Sequence, residues 1–179
     1  MNMKLPVFII AVFLVLLAPK AIFAQENSPA LTVKKLFVLL DKPGDLINKE
    51  GDCYAKWDGL DVSKLNKPFI KKYLDHLKST GLFSQAYLAE ENKYYQDRQK
   101  EITKDGLTYL RDEDVYTLSQ DPPSPKEFIA VTQKIVPVIA GNKATMTLRF
   151  KAKIYAGYKV VYRLVKENNS WVINSISST

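Results

Sequence analysis

Two hydrophobic rhythms divide the chain. Up to about Gly106, apolar residues recur at three- and four-residue steps; beyond the stretch Ser119 to Pro125 they alternate with polar ones. The first rhythm puts Val33, Leu36, Phe37 and Leu40 on one stripe, with Pro29 near its start and Pro43-Gly44 after its end, and predicts a helix over Leu31 to Leu40. Residues Asp41 to Leu65 carry Gly44, Gly51 and Gly59 among polar residues and read as a long connection, pinned to the core by Tyr54 and Trp57. A second helix starts at the capping residue Asn66 and runs to about Ser79, where Gly81 ends it; Phe69, Ile70, Tyr73, Leu74 and Leu77 form its apolar side. Ser84 caps a third, in which Leu88, Tyr95 and Ile102 recur every seven residues, flanked by Tyr87 and Tyr94, until Asp105-Gly106.

The second rhythm predicts a sheet. Glu127 to Ile139 reads as a strand whose Pro137 marks an edge or a bulge, and Gly141-Asn142 turns it into the next. There Ala144, Met146, Leu148, Phe150, Ala152 and Ile154 take one face, and Thr145, Thr147, Arg149, Lys151 and Lys153 the other. Asn168 and Asn169 both tolerate positive φ, so they predict a two-residue hairpin in which Leu164 faces Ile173, Tyr162 faces Ser175 and Val165 faces Val172. That register lines one surface with Tyr158, Val160, Tyr162, Leu164, Trp171 and Ile173; Lys159, Val161, Arg163, Val165, Val172 and Ile176 share the other. The fold class expected is α+β: N-terminal helices packed on a curved antiparallel meander sheet.

The first 24 residues read differently. Lys4 precedes the apolar run Leu5 to Ala18, too short for the roughly 20 residues of a membrane-spanning helix, and Ala21-Ile-Phe-Ala24 follows. This is the pattern of a secretory signal peptide with no cysteine near the cut for lipidation. A periplasmic or secreted protein is expected, with residues 25–179 forming one α+β domain and no membrane span. Cys53 is the only cysteine of the 179-residue chain, so no internal disulfide forms.

Charge is uneven: residues 25–124 hold 15 Lys and Arg against 17 Asp and Glu, whereas 125–179 hold nine against two. Arg149, Lys151, Lys153, Lys159 and Arg163 are expected to form a basic row on the outer sheet face, with Val161, Val165, Val172 and Ile176 among them. Such a face either stays solvated or docks an anionic partner, a membrane surface or a second subunit as a homodimer. Nucleic acid is not expected, because no aromatic residue interrupts the row.

"SQD" at Ser119 to Asp121, with "YLDHLKSTGLFSQAYLAEENKYY" and the closing "YKVVYRLVKENNSWVINSIS", resembles a family of exported bacterial proteins of unknown function in the nuclear-transport-factor-2-like, or cystatin-like, superfamily. The resemblance covers roughly Leu31 to Ser178. It implies a cone-shaped fold, often around a pocket, and leaves function open. Cystatin-type protease inhibition is not expected, since Gln133-Lys-Ile-Val-Pro137 lacks the valine and glycine of the Gln-x-Val-x-Gly hairpin.

The residues expected to line such a pocket are Tyr158, Tyr162, Leu164, Trp171, Ile173, Phe150 and Tyr95, which would admit a small apolar ligand. No catalytic residue, metal or cofactor is assigned. His76 reads as a helix-edge histidine satisfied locally, and the run Arg111-Asp-Glu-Asp114 as a solvated turn rather than a cation site. The reading is an exported binding or interaction module. Its alternative is a small isomerase- or dehydratase-type enzyme pairing tyrosine with a carboxylate from helix or loop, such as Asp41, Asp45 or Asp112.

Overall fold

A computed structural model describes residues 27–111, 113–150, 155 and 157–178. The chain is α+β. Helix α1 (Pro29–Leu40) is followed by a 3-10 helix (Leu46–Cys53), strands β1 (Tyr54–Asp58) and β2 (Asp61–Leu65), helices α2 (Lys67–Ser79) and α3 (Gln85–Asp105), and strand β3 (Thr108–Tyr109). Helix α4 (Pro125–Thr132) then leads into β4 (Val138–Ala140), β5 (Lys143–Arg149), β6 (Lys159–Glu167) and β7 (Ser170–Ser178). The last four strands make an antiparallel meander in chain order, and β1-β2-β3 make a separate small antiparallel sheet.

The helix ends follow from their capping residues. Side chains of Ser28, Asn66 and Ser84 accept from first-turn amides of α1, α2 and α3, and Gly106, at φ 81°, closes α3 in the left-handed conformation that costs glycine least. Val33, Leu36 and Phe37 of α1 pack with Phe128 of α4 against Met146, Leu148, Val160, Tyr162, Leu164 and Ile173 of the large sheet, all buried. Helix α2 lies on the 3-10 helix and on α3.

Three expectations are corrected. Residues 125–132 are helical: Ser124 and Glu127 form a reciprocal capping box with Pro125 in the first turn, and only Val138–Ala140 of the expected strand pairs with β5. The connection Asp41 to Leu65 carries a 3-10 helix and two strands, and although Tyr54 is buried, Trp57 stands 54% exposed. The hairpin turn forms as expected, Asn168 and Asn169 both at positive φ, with Leu164 opposite Ile173 and Val165 opposite Val172. A bulge beyond Ile173 then shifts the register, so that Tyr162 faces Ile176 instead of Ser175. Ile176 thereby joins the covered face and packs on the core.

A distant segment of the chain meets the strand at the bulge. Ile173 donates to the Leu82 carbonyl at 2.7 Å and accepts from the Ser84 amide at 2.9 Å, so this stretch of β7 is bound along its outer edge as well. The Ser84 hydroxyl, which caps α3, also donates to the Asn174 side chain at 3.0 Å. Among the described residues no helix is long and apolar enough to cross a membrane.

Candidate functional site

The residues expected to line a pocket are mostly core. Tyr162, Leu164 and Ile173 are fully buried, Phe150 packs edge-on against Phe128, and Tyr95 is buried on α3. The tyrosine hydroxyls are already engaged. Tyr162 donates to the Tyr116 carbonyl at 2.5 Å, Tyr158 donates to the Thr117 carbonyl, and Tyr73 and Tyr116 share a hydrogen bond of 2.6 Å. Trp171, at the far end of the sheet, borders a hollow beside α1.

Of the basic row, Arg149 sits directly opposite Lys159, and Arg163 opposite Thr145 with its guanidinium donating to Ser177 at 2.7 Å. Lys151 and Lys153 lie outside the described residues. Val161 and Val172 on the same face are buried, so they offer a partner little apolar surface.

Chemistry concentrates elsewhere, around Arg111. Strand β3 runs Thr108–Tyr109 alongside β2, the Leu110 amide donates to the Leu60 carbonyl, and this delivers Arg111 between the 3-10 helix and α3. Its guanidinium donates through both terminal nitrogens to Glu91 of α3, at 3.1 and 3.0 Å, and pairs with Glu50 of the 3-10 helix at 3.1 Å. It also lies over the Tyr94 ring, 3.6 Å from the centroid. The Glu91 side chain is only 7% exposed.

Burial acts on these groups in different directions. It pushes the Glu50 carboxyl up to about 7, against the lowering pull of Arg111 and with help from the charges of Glu91 and Asp114. For Arg111 burial alone would favour deprotonation, but Glu50 and Glu91 outweigh it and the guanidinium stays charged. The Cys53 thiol nearby is pushed up to about 12, mainly by burial, which leaves it inert as a nucleophile.

Arg111 separates two concave surfaces. On one side is a cleft of about 610 Å³, whose apolar wall of Tyr87, Val115, Leu118 and Ile176 faces Glu90, Glu91 and Glu113. On the other is a hollow of about 390 Å³ between Glu50, Tyr54, Trp57, Glu113 and Asp114. Leu118 contributes from a left-handed backbone, φ 55°, unusual for leucine and held by its amide donating to the Asp114 carbonyl at 2.6 Å. The Asp114 carboxylate accepts from the amides of Tyr116 and Thr117, so the acidic turn is a structural anchor.

Asp45, one of the carboxylates considered as a base, accepts from the Ile47 amide and is held by His76 Nε2 at 2.7 Å. The histidine's partner is thus 31 positions away in sequence. Asp41 caps α1, and Asp112 lies outside the described residues. Among the described residues no cluster of His, Cys, Asp or Glu is arranged to hold a metal ion.

Sequence reasoning missed Glu50, Glu91 and Arg111. The signal for Glu91 was present: it falls between Leu88 and Tyr95 on the buried side of α3, where an acid needs a partner. No match emerged from comparison with protein-family models, curated proteins or solved structures.

Proposed function

We propose that the protein is an exported binding module whose ligand occupies the cleft beside Arg111 and combines a small apolar body with a cationic group. The observation that carries this reading is the lining. Tyr87, Val115, Leu118 and Ile176 supply an apolar wall, and Glu90 and Glu113 add exposed negative charge while Arg111 is already neutralised by Glu50 and Glu91. An anionic ligand is disfavoured there for the same reason. Export rests on the N-terminal sequence, and the helices covering one face of a meander support the nuclear-transport-factor-2-like reading of the fold.

Three probes with one alkyl chain test it: octylamine, octanol and octanoate, followed by amide chemical shifts in NMR titrations. Octylamine is expected to bind most tightly and to move the amides of Val115, Leu118 and Ile176. Reversal of Glu90 and Glu113 to lysine is expected to abolish that preference. Equal binding of the three at this cleft would refute the reading.

The enzyme reading retains a tyrosine–carboxylate pair, the Tyr95 hydroxyl donating to Glu50 at 3.4 Å, with burial raising the Glu50 carboxyl to about 7. Against it, the hydroxyls of Tyr158 and Tyr162 are committed to backbone carbonyls. Exchange of the α-protons of cyclohexanone in D2O is its test. A rate above buffer that disappears in Glu50→Gln would favour catalysis, and a rate no higher than buffer counts against it.

A further inference from the structure

The strongly basic, partly apolar side of α1 has no role in the reading above. Leu31, Lys35 and Val38 follow one another at steps of four and three, so they share a helical face distinct from the core stripe Val33, Leu36 and Phe37, and Lys42 follows just past the helix end. That face borders a groove of about 530 Å³ between α1 and the C-terminal end of α2. Through Leu31, Lys35, Thr80 and Leu82 the groove continues into a hollow of about 410 Å³ that ends at Trp171.

Its surface is apolar between cations. Leu31, Leu39 and Leu82 line it, Val38 is 49% exposed, and Lys34, Lys35 and Lys42 stand at its sides. The one carboxylate on its lining, Asp45, is already taken by His76 and the Ile47 amide. Among the described residues none of the three lysines makes an ion pair. These lysines flank aliphatic side chains, of which Val38 is exposed and Leu31 and Leu39 are half-buried. Three unpaired ammonium groups beside an apolar trough are complementary to a molecule with one negative end and a hydrocarbon tail.

We propose that this groove binds a single-chain anionic amphiphile, a fatty carboxylate, with its alkyl chain along Leu31, Val38, Leu39 and Leu82 and its head group among Lys34, Lys35 and Lys42. A bilayer surface is the less suitable occupant, because of these aliphatic residues only Val38 stands well out, whereas Leu31 and Leu39 are half-buried and Leu82 is buried.

The test titrates the full chain with dodecanoate below its micellar concentration by calorimetry. Dodecylamine and vesicles of phosphatidylcholine with phosphatidylglycerol serve as parallel arms. Saturable binding of one dodecanoate at this groove is expected, at least about tenfold weaker in Lys34→Glu/Lys35→Glu. Val38→Trp, which fills the trough from an exposed position, is expected to weaken it similarly, with unchanged far-UV circular dichroism showing that both variants fold. Dodecanoate affinity untouched by both variants would overturn the proposal. So would dodecylamine binding that matches dodecanoate in affinity and is weakened by Val38→Trp to the same degree, which places it in this groove and not beside Arg111, or attachment to the vesicles without saturable binding of dodecanoate.

Discussion

Phe37 of α1 and Phe128 of α4 stack with ring centroids 4.1 Å apart and planes 10° from parallel. Phe128 also meets Phe150 edge-on at 4.7 Å, so one ring ties two helices to the end of β5. Since Phe128 is fully buried, Phe128→Ala removes a large side chain from a place where two helices cannot both collapse inward. A stability loss of about 3–5 kcal/mol is expected from urea unfolding. A loss under about 1 kcal/mol would mean that α4 does not pack as described.

A buried pair of tyrosines permits a sharper test. The hydroxyls of Tyr73 and Tyr116 bond each other at 2.6 Å with both side chains out of water. Replacing either one by phenylalanine strands the other hydroxyl without a partner, at a cost of about 1–3 kcal/mol. The double replacement strands neither, so the losses are expected to fall well short of additive in a double-mutant cycle. Simple additivity would show that the two hydroxyls do not depend on each other.

The helices and the last hairpin were legible because their signals are local. Ser28, Asn66 and Ser84 cap their own first turns, and Asn168-Asn169 needs no distant partner to select its turn. Helix α4 was misread as a strand: Ser124-Pro125-Lys-Glu127 carries a capping box ahead of an apolar run, but the alternation that follows it masks the signal. The bulge at β7 was not legible, since it depends on Leu82 and Ser84 binding the strand from outside. The site was hidden for the same reason. Glu50, Glu91 and Arg111 lie on three elements, and only the fold brings their charges together.

Cys53 is fully buried and its thiol is pushed up to about 12, chiefly by burial. At pH 8 almost no thiolate is present to attack a disulfide reagent. Native protein is therefore expected to react with Ellman's reagent only as fast as it opens, and denaturant is expected to release one rapidly reacting thiol per chain. Fast modification of the native protein would place Cys53 at the surface.

The ion cluster sets an unusual dependence of stability on pH. Glu50 has an ordinary value of 4.5 and is raised to about 7 in the fold, so between those values the folded chain holds a proton that the unfolded chain has released. The associated stability is complete below about pH 4.5 and disappears as pH rises through 7, a loss on the order of 3 kcal/mol. Urea midpoints measured between pH 5 and 8 are expected to fall, and the Glu50→Gln variant is expected to lose that slope because its amide stays neutral throughout. Arg111→Ala acts in the same direction more strongly. It leaves Glu50 and Glu91 facing each other without a counter-charge, a burden that protonation relieves at pH 5 and that is fully felt at pH 8. The difference between the Arg111→Ala variant and the parent is therefore expected to widen with pH. A parent profile that is flat over this range, and identical to that of Glu50→Gln, would instead mean that Arg111 keeps Glu50 ionised in the fold despite its burial.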